Sequence, residues 1–155
     1  MSIIPKTEYP PLFQAGLHDI DVDSLEPVFL DPFPDSNHRH ELVDGLKKFL
    51  QLMQSFAIPL EIWVDGSFST KKTDPDDVDL FVFGNNADIN KMSSDNIDRF
   101  QSTFDSHQEL KIRYHCDVSF IESILDDVRA ECRGLFGFSR NEQPKGIPRI
   151  WINHE

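Results

Sequence analysis

The chain reads as an α+β protein, with a mixed sheet of α/β type and helices packed on one face of it. Two observations predict this. Residues 36–56 repeat their apolar positions at helical spacing, whereas several shorter stretches are bounded apolar runs of strand type. These segments follow one another as helix, strand, strand, helix, strand, helix, strand, with no internal repeat or low-complexity segment between them. A length of 155 residues suits one domain with a sizeable core.

Residues 1–35 hold Pro5, Pro10, Pro11, Pro27, Pro32 and Pro34. They read as an N-terminal arm packed on the core and mostly without regular structure. Within the arm, 16–23 suits a short strand, and Ser24 can cap a short helical turn. Residues 36–155 then form the main part of the single domain. Ser36 or Asn37 caps a helix running to about Phe56, with Leu42, Val43, Leu46, Phe49, Leu50, Met53 and Phe56 on one stripe. Pro59 ends it, and 60–64 is a strand; Gly66-Ser67 turns the chain. Residues 76–83 form the next strand, closed by Gly84-Asn85-Asn86, and Ser93 or Ser94 caps a helix to about Ser106. Residues 110–120 read as a third strand, with Ile112, Tyr114, Cys116, Val118 and Phe120 on one face. Arg113, His115, Asp117 and Ser119 lie on the other. A helix from Ser119 or Ile121 to Arg133 follows, broken by Gly134 and Gly137. The tail 144–152 suits a short edge strand, because Pro148 cannot donate to a ladder.

The formal net charge is −12, and the longest cationic cluster is Lys71-Lys72. An extended nucleic-acid surface needs clustered cations, so none is expected. The acidity suits a small charged substrate held with metal, or a basic protein partner; it also simply favours solubility. No apolar run approaches the roughly 20 residues of a membrane helix, and the first ten residues lack an apolar signal core, so a cytoplasmic location is expected. Cys116 and Cys132 have no metal-type spacing and read as reduced.

Chemistry concentrates between Val64 and Phe83. Asp77 and Asp79 are two apart at a strand entry, so both aim hard oxygen ligands at one point, where Mg²⁺ or Mn²⁺ would sit. Gly66 permits a tight turn and close approach of backbone to a ligand. Ser67 and the amides after it can donate to phosphate, and Lys71 and Lys72 offer mobile positive charge. Asp117 interrupts an apolar strand and supplies a third carboxylate, able to complete a metal site and act as base. The plain alternative is an acidic turn, since Asp74 and Asp76 lie alongside. Asp117 can equally pair with Arg113 or His115. His38-Arg39-His40 has no shared face and is not a metal site; Lys145 can reach a triphosphate, and Phe136 and Phe138 can stack a base or form a lid.

Asp65-Gly66-Ser67, a short polar spacer, Asp77-Val78-Asp79-Leu80 and the later Asp117 together resemble the nucleotidyltransferase superfamily of the DNA polymerase β type. The resemblance implies a minimal polymerase-β-like fold. It also implies transfer of a nucleoside monophosphate from an NTP, ATP foremost, to a hydroxyl, with release of pyrophosphate. Gly16-Leu17-His18, Val64 to Phe68, and Pro144 to Ile147 are further similar to a family of short bacterial nucleotidyltransferase-like proteins known as a domain of unknown function. The size resembles that of minimal nucleotidyltransferases paired with RNase-type toxins. By that likeness the acceptor is a protein or small-molecule hydroxyl, within a toxin–antitoxin or phage-defence system. Two other readings stand beside it: a non-catalytic antitoxin or interaction module, and a nucleotide sensor on the same scaffold. The larger members' C-terminal helical domain has no counterpart in this sequence.

Overall fold

The computed structural model describes residues 9–122 and 145–154. Its strands are β1 (Gly16–Asp19), β2 (Leu60–Asp65), β3 (Val78–Gly84), β4 (Cys116–Glu122) and β5 (Gly146–Ile152). Its helices are α1 (Leu25–Phe29), α2 (Asn37–Ser55), α3 (Asn86–Asn90), α4 (Ser94–Asp105) and α5 (His107–Tyr114). The strands form one five-stranded sheet in the order β1-β5-β2-β3-β4. β2 runs antiparallel to β3 and β5, whereas β1–β5 and β3–β4 are parallel pairs. The architecture is α+β with a mixed sheet.

Alternation along the strands decides which face is core. Ile62 and Val64 of β2, Leu80 and Val82 of β3, Cys116 and Val118 of β4, and Ile150 and Ile152 of β5 share one hydrophobic cluster with the helices. α2 supplies the largest part of the helical side. Its N-terminus is capped by Ser36, whose Oγ accepts the Arg39 amide at 3.1 Å. Its stripe of Leu42, Leu46, Phe49, Leu50 and Met53 is fully buried. Each such side chain contributes about 1.5–3 kcal/mol by leaving water. The opposite face of the sheet carries a smaller cluster of Trp63, Phe83 and Ile147, flanked by Leu17, Phe81 and Ile121. Among the described residues every helix gives its buried apolar residues to the first cluster and none to the second.

Several sequence expectations need correction. In the N-terminal arm the short strand and the helical turn are present as expected, the turn lengthened into α1. β1 pairs with β5, and Leu25 and Phe29 of α1 are fully buried in the core. The segment 110–115 is helix, not strand. Leu110 and Tyr114, one turn apart, face the core, while Ile112 is 77% exposed. Tyr114 meets Phe49 of α2 at 5.9 Å between ring centroids. Gly45 makes this approach possible, because a Cβ there would overlap the Tyr114 carbonyl. His115, in the left-handed region at φ 57°, ends α5 and starts the chain toward β4. β4 runs to Glu122, so no helix starts at Ser119 or Ile121; the rest of that expected helix, with Gly134, Phe136, Gly137 and Phe138, lies outside the described residues, as does Cys132. β3 starts at Val78, which leaves Asp77 just before the strand. β5 is an interior strand, not an edge. Its pairing with β2 ends at Arg149 opposite Trp63, so Pro148 sits beyond that ladder, facing His18 of β1. No helix among the described residues is long and apolar enough to cross a membrane.

Candidate metal centre

Strand register builds the site. Asp65 on β2 pairs with Asp79 on β3, and Asp79 pairs with Asp117 on β4. Three carboxylates thus form one row across three strands, on the face away from the helical core. Asp77, two residues before Asp79, joins them from the mouth of β3. Carboxylate oxygens of Asp77, Asp79 and Asp117 all lie within 4.8 Å of one another. A small divalent cation bound at about 2.0–2.1 Å spans ligand oxygens up to about 4.2 Å apart. The three acids could hold a divalent cation once drawn closer together, and the donor set is all hard oxygen.

The electrostatics of this row are unfavourable without a cation. Burial first, then the charges of Asp77, Asp117 and Asp65, push the Asp79 carboxyl up to about 6; the Lys111 ammonium opposes them. Burial, with Asp77 and Asp79, also holds the neighbouring Cys116 thiol protonated. Two cations stand at the ends of the row. Lys145 Nζ is 2.5 Å from Asp65 Oδ1 in a largely buried pair, and Lys111 Nζ is 3.6 Å from Asp117 Oδ2 at the surface. Among the described residues neither Asp77 nor Asp79 has an ion-pair partner.

Gly66 shapes the wall beside Asp79. Its φ is +74°, and a Cβ built there would overlap Asp79 Oδ2. No other residue allows this bend so close to the carboxylate. The bend opens a single 3-10 turn, Ser67–Ser69, in which the amides of Ser69 and Thr70 bond back to the Gly66 and Ser67 carbonyls. Phe68 anchors the turn inward, fully buried and stacked 4.5 Å from Phe29.

The loop that follows is held from behind by Arg39 of α2. Its guanidinium is fully buried and donates to the carbonyls of Phe29, Phe68, Thr70, Lys72 and Thr73 at 2.6–3.2 Å. Ser36 Oγ adds bonds to Thr73 O and Asp74 Oδ1. Burial lowers the Arg39 pKa to about 10, which still leaves it charged at neutral pH. The loop is therefore clamped at Phe68, Thr70, Lys72 and Thr73.

The structure brings Asp77, Asp79, Asp117, Gly66 and Ser67 together. It does not bring Lys71 and Lys72 with them as charge partners. The Lys71 amide bonds to the Pro10 carbonyl, and the Lys72 ammonium stands 5.8 Å above the Tyr9 ring. Among the described residues the cations by the row are instead Lys111 and Lys145. Lys111 was hidden by the strand reading of 110–115; on a helix it lies one turn from His115 and faces Asp117. Asp65 stands in the sequence motif with Gly66 and Ser67, but nothing local marks it as a fourth carboxylate of the row. Arg39 carried a usable signal, since it shares the helical spacing of Leu42, Val43 and Leu46 and so faces the core.

With this geometry in place, comparison with known proteins adds the family. Residues 5–151 match the family described as Family of unknown function (DUF6932). The chain belongs to that family. The matched span takes in the Gly66 bend, all four carboxylates and Lys145. No curated protein and no solved structure matches the chain.

Proposed function

We propose that the protein is a cytoplasmic, Mg²⁺-dependent nucleotidyltransferase that transfers a nucleoside monophosphate from an NTP, ATP foremost, to a hydroxyl of a protein or small molecule. One observation carries this reading: the carboxylate oxygens of Asp77, Asp79 and Asp117 gather within 4.8 Å of one another beside the Gly66 bend. The order along the chain, glycine-serine, loop, Asp-x-Asp, then a third acid on a neighbouring strand, supports the likeness to the polymerase β type.

Asp77, Asp79 and Asp117 would hold the metal, which when bound supplies charge neutralisation and Lewis acidity at the α-phosphate. Gly66 lets the backbone bend close against the Asp79 carboxylate, and Ser67, next in the chain, would offer its hydroxyl to the phosphates. Asp117 takes the proton of the attacking hydroxyl. The new bond joins the acceptor oxygen to the α-phosphorus; the bond to the β-phosphate oxygen breaks, and pyrophosphate leaves. A protein or small molecule is preferred as acceptor because a net charge of −12 repels polyanions. A protein acceptor would place the enzyme beside a toxin-like partner.

The test is incubation of purified protein with labelled NTPs and Mg²⁺, scoring pyrophosphate release or label transfer. Wild type is expected to turn over ATP, and Asp77→Ala with Asp79→Ala to lose that turnover. Equal behaviour of wild type and the double variant would remove catalysis by this site. Mg²⁺-dependent ATP binding without product would reduce the protein to a sensor.

A further inference from the structure

We infer that Lys145 is a built-in counter-ion that sets the metal affinity of the carboxylate row through Asp65; this rests on the metal-site reading above. Asp65 is the inner end of the row, in direct register with Asp79. It is buried, with a side chain 12% exposed, and it bears on Asp79 through its charge. Lys145, 19% exposed, closes on it at 2.5 Å. The two residues are far apart in sequence. They meet because β5 is inserted next to β2, and Lys145 immediately precedes β5 where the β2 strand ends.

Two consequences follow from this placement. Lys145 holds Oδ1 of Asp65, so Asp65 is the member of the row whose charge is already partnered, and the cation is left mainly to Asp77, Asp79 and Asp117. Lys145 also offsets part of the Asp65 charge, which still reaches Asp79, so the row is less negative than four bare carboxylates would be. Lys111 differs in kind: its contact with Asp117 is longer and half-exposed, hence screened by solvent and salt. Lys145 is a positioning residue, acting on the metal through Asp65.

The charge argument gives opposite signs for the two halves of the pair. Lys145→Met unmasks Asp65 and adds negative potential at the site, so Mn²⁺ should bind tighter. Asp65→Asn leaves the ammonium unbalanced, so Mn²⁺ should bind more weakly. Each effect should be about tenfold, the order for one unit charge acting at short range in a partly buried site. Asp65→Asn/Lys145→Met should return near the wild-type value. Mn²⁺ titration of the full chain, followed by electron paramagnetic resonance, reads all four affinities, with circular dichroism to confirm folding. A purely structural pair would weaken binding in both single variants. That outcome, or unchanged affinity in Lys145→Met, overturns the proposal. Asp65→Asn keeps the test decisive if Lys145→Met fails to fold, since tighter or unchanged Mn²⁺ binding there also contradicts it. If the wild type binds no Mn²⁺, the metal reading itself falls and takes this inference with it. Metal binding without nucleotide turnover, by contrast, removes only the catalytic reading.

Discussion

Replacing Asp79 with Asn should stabilise the metal-free protein, although it destroys the centre of the candidate site. The folded protein holds the Asp79 proton up to about pH 6, whereas the ordinary carboxyl value is 3.8. Between those values the folded state binds more proton than the unfolded chain. The Asp79 contribution is therefore most favourable below the unfolded value and is lost as pH rises through the folded one. At about 1.4 kcal/mol per pH unit, the gap corresponds to about 3 kcal/mol against the fold above pH 6. Partial solvent contact reduces this to about 2 kcal/mol. Asn keeps the shape, removes the charge and relieves Asp77 and Asp117. A gain of about 2 kcal/mol corresponds to a rise of about 4–8 °C in melting temperature for a chain of this size. The assay is thermal and urea unfolding in EDTA from pH 4 to pH 8, repeated with millimolar Mg²⁺. The stability gap between variant and wild type should open with rising pH in EDTA and shrink on adding Mg²⁺, which binds the wild type only. An Asn variant that is less stable than wild type at pH 7.5 in EDTA, or a gap that ignores pH, would refute the reasoning.

Two further expectations concern the scaffold. Arg39→Met should cost at least about 3 kcal/mol in urea unfolding, because five inward-facing carbonyls lose their donor; a loss under about 1 kcal/mol would mean that the loop is not held this way. Leu110→Lys should destabilise by about 3 kcal/mol or more, while Ile112→Lys should stay within about 0.5 kcal/mol. Equal costs would contradict the helix at 107–114.

How much of this was legible depends on the residue. α2, β2 and β3 follow from apolar period and flanking breakers alone, since their burial comes from their own side-chain pattern. Asp77 and Asp79 are legible for the same reason: two residues apart at a strand entry is a local fact. The helix at 107–114 was not legible. Leu110, Ile112 and Tyr114 alternate with polar residues and imitate a strand, and only the packing of Tyr114 on Phe49 across Gly45 decides for a helix. That error also hid Lys111. Asp65 and Lys145 take their importance from a partner distant in sequence, which a linear pattern does not encode; for Arg39 the spacing shows the inward direction but not the carbonyls it meets. Pro148 misled for a related reason: it bars ladder donation at one position, but not an interior place for a strand whose neighbour stops short of it.

The parallel pairing of β3 with β4 ties the chemistry to the packing. Shifting β4 by one residue would send Asp117 into the apolar layer beneath the sheet and lift Cys116 or Val118 into its place. An unpaired carboxylate in that layer costs several kcal/mol. The same alignment that assembles the acids is thus the one the interior enforces. A misaligned chain loses both together, and on the proposed reading cation uptake would report whether this edge of the sheet has formed correctly.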